Sequence, residues 1–161
     1  EKPFDSNNNY QKAVRFGDEK TVNELKAYID TINCRIENKR LTDIYNKALK
    51  SMHSASSEKA YKSIAKEFES ICGFKDSDIK AQQCLEKADM YYKNEIYNSA
   101  VSTMKSTPDK ESRYETAIKI FETIPDWKDA NERIDFCRIK IKELQEKERK
   151  FATTEIASKK R

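Results

Sequence analysis

Side chains able to act as nucleophiles, acid–base groups or metal ligands are few in this chain and lie far apart. The one histidine, His53, stands in a serine-rich link, and no two of the four cysteines form a CxxC pair. A structural zinc site needs four ligands in closely spaced pairs, and catalysis needs a nucleophile or an acid–base pair held in one pocket. The sequence therefore predicts no catalytic residue, no metal site and no cofactor, and we expect a protein that is not an enzyme.

Sequence patterns that bind phosphate groups are also missing from this chain. Only 2 glycines occur, and the GxGxxG, P-loop and GxSxG patterns are absent from the sequence. The many carboxylates are spread along helix faces, where solvation accounts for them. Cys84 and Cys137 occupy the same repeat position on the apolar side of a helix, so we interpret them as small packing residues. No small-molecule substrate is expected.

The composition is typical of long, exposed helices. The 161 residues are 37% hydrophobic and 37% charged, and the chain has 2 Gly and 3 Pro, which are too few turn formers for a strand-rich fold. No stretch has the ~20 apolar residues of a membrane span, and no signal-peptide pattern is visible. We expect an all-α protein in the cytoplasm that forms one module of a larger protein.

Two parts of the chain match two later parts without gaps. Residues 61–84 align with residues 114–137 at an offset of 53, and residues 44–52 align with residues 96–104 at an offset of 52. The one-residue difference falls in the polar link between the matched segments, where a structural repeat tolerates an insertion. The matched pairs include Tyr45 with Tyr97, Tyr61 with Tyr114, Phe68 with Phe121, Phe74 with Trp127, and Lys75-Asp76 with Lys128-Asp129.

Apolar residues at helical spacing predict the positions of the helices. One stripe, between Thr21 and Glu37, is expected to be buried against the next helix. A break between helices is predicted near Asn94-Glu95. The serine-rich run before residue 58 offers N-caps, and Asp109 is expected to cap the helix that follows it. The first stripe consists of Val22, Leu25, Ile29, Ile32 and Ile36.

A turn containing an aromatic residue and then Lys-Asp connects the last two helices of each repeat. We interpret Phe74 and Trp127 as wedges that fill the gap between two antiparallel helices. Asp76 or Ser77 is expected to cap the incoming helix of the first repeat, and Asp129 that of the second. Gly73 is expected to adopt the left-handed conformation that ends many helices.

These patterns divide the chain into three parts. Residues 1–9 are predicted to be a disordered lead-in, residues 10–145 a helical-repeat domain, and residues 146–161 a charged helical extension with a frayed tail. The repeat units cover about residues 42–88 and 94–141, with a degenerate helical unit before them. Residues 138–161 contain nine Lys or Arg against four Glu, so the net charge of +4 resides in this part of the chain.

The segment between the repeats resembles a tetratricopeptide repeat, which has a small residue and an aromatic residue at matching places in each of two helices. Ala88, Tyr91, Tyr97 and Ala100 stand at those places. The turns Gly73-Phe-Lys-Asp-Ser77 and Asp126-Trp-Lys-Asp-Ala130 are similar to the GYKDS-like turn of a bacterial variant of these repeats. Glu95 stands where the family's turn usually has glycine. The resemblance implies antiparallel helical hairpins stacked as a short right-handed solenoid, a TPR-like superhelix.

The resemblance also implies a function as a protein–protein interaction scaffold. In such arrays the ligand lies along a concave face, and the residues of this chain at matching positions predict a protein or peptide partner. Two other functions stay open: a structural spacer or oligomerisation module, suggested by the charged last helix, and a binder of nucleic acid or another anionic surface through the basic tail, which the mixed charge of the rest of the chain disfavours. The candidate partner-binding residues are Tyr92, Lys93, Arg138 and Lys142.

Overall fold

The computed structural model describes residues 11–12, 14–15, 17, 19–107 and 109–159, the last four of these by backbone alone. Five long helices account for most of this part of the chain, and it contains no strand, which confirms the predicted all-α class. The helices are α1 (Glu19–Ser54), α2 (Glu58–Glu69), α3 (Ser77–Lys105), α4 (Glu111–Phe121) and α5 (Ala130–Lys159).

The described residues form two compact units. Unit 1 contains the residues up to Ser56 together with Tyr61–Cys84, and unit 2 contains Ser57–Ala60 together with the residues from Leu85 onward. Helix α3 is an unbroken helix that contributes its first turns to unit 1 and the rest to unit 2.

The core of unit 1 is built from the end of α1, from α2 and from the start of α3. Helix α2 begins after Ser57, whose Oγ accepts the Ala60 backbone N–H at 3.2 Å, so the predicted N-cap in the serine-rich run is confirmed. Phe68 and Cys84 are fully buried there. The other buried residues of this unit are Tyr45, Ala48, Tyr61, Ile64, Ala65, Ile71, Ser77 and Ala81.

The core of unit 2 brings together side chains from α3, α4 and α5. Phe121 and Cys137 have no exposed surface, so both repeat cysteines, Cys84 and Cys137, are packing residues as predicted. Half-buried apolar side chains, among them Tyr97 and Leu144, pack around this cluster. Its buried members are Ala100, Met104, Tyr114, Ala117, Phe121, Ala130, Ile134 and Cys137.

The predicted break near Asn94-Glu95 is wrong, because α3 continues through it to Lys105. Helix α1 is likewise continuous between its first apolar stripe and the residues that pack in unit 1. Neither helix contains Gly or Pro, and Asn and Glu are tolerated in a helix interior. The structure therefore has fewer and longer helices than the sequence patterns suggest.

The expected burial of the first α1 stripe is also wrong. Leu25 and Ile36 are exposed, at 37% and 62% of their surface, and Val22, Ile29 and Ile32 are half-buried. The stripe is therefore less buried than the pattern predicts, and the buried residues of α1 are Tyr45 and Ala48, nearer its end.

Helix α4 begins differently from the expectation as well. Its N-cap is Lys110, with extended φ and ψ of −124° and 148° and no side-chain cap hydrogen bond. Asp109, the predicted cap, accepts hydrogen bonds from the Arg113 guanidinium at 2.5 Å and from the Tyr114 hydroxyl at 2.9 Å. The carboxylate thus fixes two side chains of the first helical turn and does not cap its backbone amides.

The ends of the chain are described only in part. The predicted lead-in at residues 1–9 lies outside the described residues. Helix α5 continues to Lys159. It therefore extends far into residues 146–161, the end of which the sequence predicts to be frayed. Among the helices described, none has the length and apolar character needed to cross a membrane.

Candidate partner-binding surface

The two Lys-Asp turns have the same backbone. Lys75 and Lys128 have φ of 53° and 54°, and two residues before them Gly73 and Asp126 have φ of 77° and 61°. The left-handed conformation expected at Gly73 is therefore present, and it recurs at a lysine where no sequence rule predicts it.

The hydrogen bonds of these turns repeat as well. The amides of Ser77 and Ala130 donate to the carbonyl oxygens of Phe74 and Trp127, both at 3.1 Å. The amides of Phe74 and Trp127 donate in turn to the carbonyl oxygens of Ile71 and Ile124, at 3.0 and 3.2 Å.

Each turn is attached to the preceding long helix by a tyrosine. In unit 1 the Tyr45 hydroxyl donates to Asp76 Oδ1, and in unit 2 the Tyr97 hydroxyl donates to Asp129 Oδ1 at 2.5 Å. The tyrosine ring meets a buried phenylalanine edge-on, with ring centroids 5.8 Å apart for both Tyr45–Phe68 and Tyr97–Phe121. We call these groups joint 1 (Tyr45, Phe68, Phe74, Lys75, Asp76) and joint 2 (Tyr97, Phe121, Trp127, Lys128, Asp129).

In each joint the lysine with positive φ covers the outer side of the tyrosine ring. Its ammonium lies over the tyrosine ring, with Nζ 4.6 Å from the ring centroid for both Lys75 over Tyr45 and Lys128 over Tyr97. A cation at this distance from an aromatic face is attracted by the ring quadrupole. The positive φ of the lysine aims its side chain back over the turn, so backbone conformation and side-chain contact support each other.

The aspartates of the joints have a partner other than the predicted one. Their carboxylates accept the tyrosine hydroxyls, while their backbone carbonyls accept the amides of Lys80 and Arg133, at 2.9 and 3.0 Å. Each carboxylate also pairs with the cation four residues later, at 3.6 Å for Asp76–Lys80 and 3.0 Å for Asp129–Arg133. The two aspartates therefore act mainly by connecting helices that lie far apart in the sequence.

These contacts shift the ionisation of the joint residues. The hydrogen bond from Tyr97 holds the pKa of the Asp129 carboxyl below its ordinary value of 3.8, and the hydrogen bond from Arg133 adds to the effect. The same bond to Asp129 raises the pKa of the Tyr97 hydroxyl above 10.0. In joint 1 the bond lowers the pKa of Asp76 and raises that of Tyr45.

Trp127 and Phe74 are half-buried, as expected for wedges in the turns. The Trp127 indole N–H is buried and has no hydrogen-bond partner among the described residues. Lys93 Nζ lies 5.5 Å from the centroid of the Trp127 ring. The tryptophan is therefore covered from the side of α3, which disfavours a role as an open stacking platform.

Two of the candidate partner-binding residues lie next to each other on α3. Tyr92 is exposed over 47% of its surface. Lys93 is partly covered and forms an ion pair with Asp89 at 2.6 Å, besides its contact with Trp127. Tyr92 thus presents an amphipathic ring to solvent, and Lys93 is already held in place by its neighbours.

The other two candidates lie one turn apart on α5. Arg138 pairs with Asp135 at 3.2 Å and approaches Glu122 at 3.8 Å, and Lys142 is exposed. The structure adds two exposed apolar residues that the sequence analysis missed, Ile139 and Phe136, which are exposed over 56% and 45% of their surface. Their signal in the sequence is that both are out of phase with the apolar stripe that α5 buries.

The candidate residues on unit 2 and the exposed apolar residues near them in the sequence are grouped here under one name. On α5, residues 138, 139 and 142 fall within about 100° of one another around the helix axis, on the side away from the core. Tyr92 and Lys93 come from α3, and the described contacts do not join them to the α5 residues. We call the combined set the unit 2 surface: Tyr92, Lys93, Phe136, Arg138, Ile139 and Lys142.

Among the described residues, the His, Cys, Asp and Glu side chains that could bind a metal ion do not lie together. His53 is exposed in the last turn of α1, where its Nδ1 lies 2.7 Å from the Leu49 carbonyl oxygen. In the part of the chain that the structure describes, no group of three or more His, Cys, Asp or Glu side chains is placed to hold a metal ion. Comparisons with protein-family models, curated proteins and solved structures find no match to this chain.

Proposed function

We propose that the chain is a non-enzymatic protein–protein interaction scaffold, built from TPR-like helical hairpins that stack as a short right-handed solenoid within a larger bacterial protein. One observation carries the proposal: the same joint, with the same hydroxyl, carboxylate, ring and ammonium contacts, occurs twice. A duplicated structural joint is typical of repeat proteins, whose units are similar in what holds them together.

The joints themselves are poor candidates for ligand binding. Their tyrosine hydroxyls and aspartate carboxylates are paired within the chain, and their rings are buried or half-buried. The residues that point outward at matched positions differ instead between the repeats. Leu85, Asp89, Tyr92 and Lys93 of α3 match Arg138, Lys142, Gln145 and Glu146 of α5. A scaffold that keeps its joints and varies its outer residues can recognise a specific partner.

The unit 2 surface has the composition of a binding site for a protein. Tyr and Arg are enriched among the residues that dominate interface energetics, whereas exposed lysines contribute little by themselves. On α5 Ile139 supplies apolar area next to the cations Arg138 and Lys142, and on α3 Tyr92 supplies an exposed ring. The expected partner therefore presents an apolar side chain flanked by carboxylates.

The proposal is tested by partner capture with matched variants. The intact chain is used as bait, and the recovered protein is identified and its affinity measured by titration. Tyr92→Ala, and separately Arg138→Ala with Ile139→Ala, should weaken the complex about tenfold or more, because truncating a central interface residue commonly costs over ~1.4 kcal/mol. Circular dichroism should show unchanged helix content, since these side chains are exposed.

Lys147→Ala with Arg149→Ala serves as the control, because both residues lie on α5 and are exposed beyond the unit 2 core. This variant should bind the partner as well as the wild type. Salt-sensitive binding to anionic vesicles or DNA that disappears when the chain is cut after Lys150 would replace the proposal with the basic-tail function. A mass in light scattering that rises with concentration, without partner capture, would replace it with the oligomerisation function.

A further inference from the structure

The turns of joints 1 and 2 share a backbone conformation but differ in the hydrogen bonds that hold them. Three hydrogen bonds of the first turn are not repeated at the matched positions of the second. Two of them are donated by backbone amides and one by a buried hydroxyl. They are Cys72 N to the Glu69 carbonyl oxygen (3.2 Å), Gly73 N to Asp78 Oδ2 (3.1 Å) and Ser77 Oγ to the Ile71 carbonyl oxygen (2.9 Å).

Two of these bonds are lost in joint 2 because the residues there cannot donate. Pro125 stands at the position of Cys72 and has no amide hydrogen. Ala130 stands at the position of Ser77 and has no hydroxyl group. The segment between α4 and Asp129, residues 122–128, is therefore held by fewer hydrogen bonds than its counterpart in joint 1. We call it the Trp127 turn.

The third bond is replaced in joint 2 by one between side chains. Asn131, at the position of Asp78, donates to the Asp126 carboxylate at 2.8 Å, and both side chains are exposed. Asp126 has a φ of 61° where joint 1 has Gly73. Glycine adopts this conformation without steric cost, whereas aspartate does not. The Trp127 turn is thus less firmly held and more strained than its counterpart.

Joint 2 also buries two polar atoms that have no partner among the described residues, the Trp127 indole N–H and Asn94 Oδ1. Because α1 and α3 are unbroken, the matched positions in joint 1 are Phe74 and Thr42. Phe74 has no polar side-chain atom, and the Thr42 hydroxyl donates to the Asn38 carbonyl oxygen at 2.7 Å. A buried donor without an acceptor favours a conformation in which it finds one.

The other half of joint 2 is held more firmly than in joint 1. The Tyr97 hydroxyl bonds both Asp129 and Arg133, and Arg133 also pairs with Asp129 at 3.0 Å. Joint 1 has Lys80 in place of this arginine. The Trp127 turn can therefore move while the bonds between α3 and the start of α5 persist.

Lys93 connects the Trp127 turn to the unit 2 surface. Its ammonium lies 5.5 Å from the centroid of the Trp127 ring and pairs with Asp89 at 2.6 Å. The lysine side chain is 36% exposed, so a partner can reach it. Joint 1 has Leu41 at this position, which carries no charge. A partner carboxylate that binds Lys93 thus acts directly on the group that covers Trp127.

We propose that the Trp127 turn opens locally, while the bonds of Tyr97 persist, and that it delivers Trp127 to the α3 part of the unit 2 surface. There the indole N–H and the Lys93 ammonium bind one carboxylate of the partner. This inference rests on the proposed scaffold function, and it adds to that surface a binding residue that the closed turn covers. Tryptophan is among the residues that dominate interface energetics.

Hydrogen exchange of the partner-free, full-length chain tests the opening. The single tryptophan gives one indole N–H signal in the ¹⁵N-labelled protein. Its exchange is compared with that of the Arg133 amide, which donates to the Asp129 carbonyl oxygen. Local opening should make the indole N–H and the Trp127 amide exchange at least tenfold faster than the Arg133 amide, after correction for intrinsic rates. Equal protection of all three groups overturns the inference.

Installing the joint 1 residues should close the Trp127 turn. Asp126→Gly with Ala130→Ser should slow exchange of the Trp127 amide at least tenfold, because it removes the strain and supplies a hydroxyl like that of Ser77. Ser77→Ala is the matched control in unit 1. It should speed exchange of the Phe74 amide and leave the Trp127 amide unchanged. A Trp127 amide that exchanges as fast in the double variant as in the wild type contradicts the proposed opening.

The partner contact is tested on the protein that the intact chain recovers as bait. Trp127→Phe keeps a ring that fits this turn, as Phe74 shows, and removes the indole N–H. It should weaken the complex about tenfold with unchanged circular dichroism, and so should Lys93→Leu. Because both groups bind one carboxylate, the double variant should lose less affinity than the two single losses combined. Lys147→Ala with Arg149→Ala again serves as the control.

The results separate this inference from the scaffold function. Normal binding by Trp127→Phe with weakened binding by Tyr92→Ala overturns the inference and leaves the scaffold function in place. Weakened binding by Trp127→Phe with normal binding by Tyr92→Ala supports the inference and removes Tyr92 from the unit 2 surface. Recovery of no protein overturns the partner contact together with the scaffold function.

Discussion

Tyr97 illustrates how much of each joint depends on a single hydroxyl group. It donates to Asp129 and accepts a hydrogen bond from Arg133 Nε at 2.8 Å, while its ring packs against Phe121 and lies beneath Lys128. The hydroxyl thus connects α3 to the first turn of α5. Joint 1 lacks the arginine, because Lys80 stands at that position, where it pairs with Asp76 and donates to Gln83 Oε1 at 3.3 Å.

Removing the Tyr97 hydroxyl should change how the free energy of unfolding depends on pH in the acid range. The pKa of Asp129 is held below 3.8 chiefly by Tyr97, so the carboxylate stabilises the fold above about pH 4 and loses that contribution as pH falls through its folded pKa. Tyr97→Phe should raise the Asp129 pKa towards 3.8 and flatten the loss of stability below pH 4. Carboxyl NMR titration and urea unfolding at several pH values measure both effects.

Tyr92→Phe is the control, because its hydroxyl belongs to an exposed ring, and it should leave the Asp129 titration unchanged. At alkaline pH the free energy of unfolding changes in the opposite direction with pH. The raised pKa of Tyr97 means that its stabilising contribution is present below pH 10 and is lost as pH rises through the folded pKa. An Asp129 pKa that does not move in Tyr97→Phe would contradict the assignment.

Helix α3 gives a prediction at the level of the secondary-structure element. Glu95 is exposed within an unbroken helix, whereas the family that the sequence resembles has a glycine-containing turn there. Glycine inside a helix is about 1 kcal/mol less favourable than alanine. Glu95→Gly should therefore be about 1 kcal/mol less stable than Glu95→Ala in urea unfolding. A more stable Glu95→Gly variant would indicate a turn at this position.

The helices show which parts of a fold a sequence can predict. The stripes of α2 and α4 lie on one face, and both helices are predicted close to their observed positions. In α1 the apolar stripe changes phase between Ile36 and Tyr45, which reads as two helices when only periodicity is used. The absence of Gly and Pro from α1 and α3 was the signal for continuity.

The joints show the corresponding limit for side chains. Their residues are visible in the sequence as matched positions, but Asp76 and Tyr45 are 31 residues apart, so their bond depends on tertiary structure. An aspartate before a helix reads locally as a cap. The partner-binding candidates Tyr92 and Lys142 are exposed in the structure, and their role stays a prediction.

On the scale of the whole molecule, the described residues form two cores with matched centres. Phe68 and Phe121 are both fully buried at the same repeat position. Phe68→Ala and Phe121→Ala should each cost about 3–5 kcal/mol, because the cavity left behind adds to the lost burial. Hydrogen exchange should show the loss of protection in α2 for the first variant, and in α4 with the start of α5 for the second.

Exposed Phe151→Ala is the control for both variants, since 75% of its surface is already accessible. It should change neither the unfolding free energy nor the exchange pattern in either core. Equal loss of protection throughout the chain for Phe68→Ala and Phe121→Ala would show that the cores do not have separate stabilities.

The position of Trp127 makes unit 2 optically distinguishable. Trp127 is the single tryptophan of the sequence. It lies in the turn of joint 2, and its indole N–H is buried away from solvent. Emission excited at the red edge of indole absorption will therefore come from unit 2 and will shift to longer wavelength as water reaches that turn. Iodide or acrylamide quenching of this emission can follow unit 2 in the same solution in which circular dichroism follows every helix.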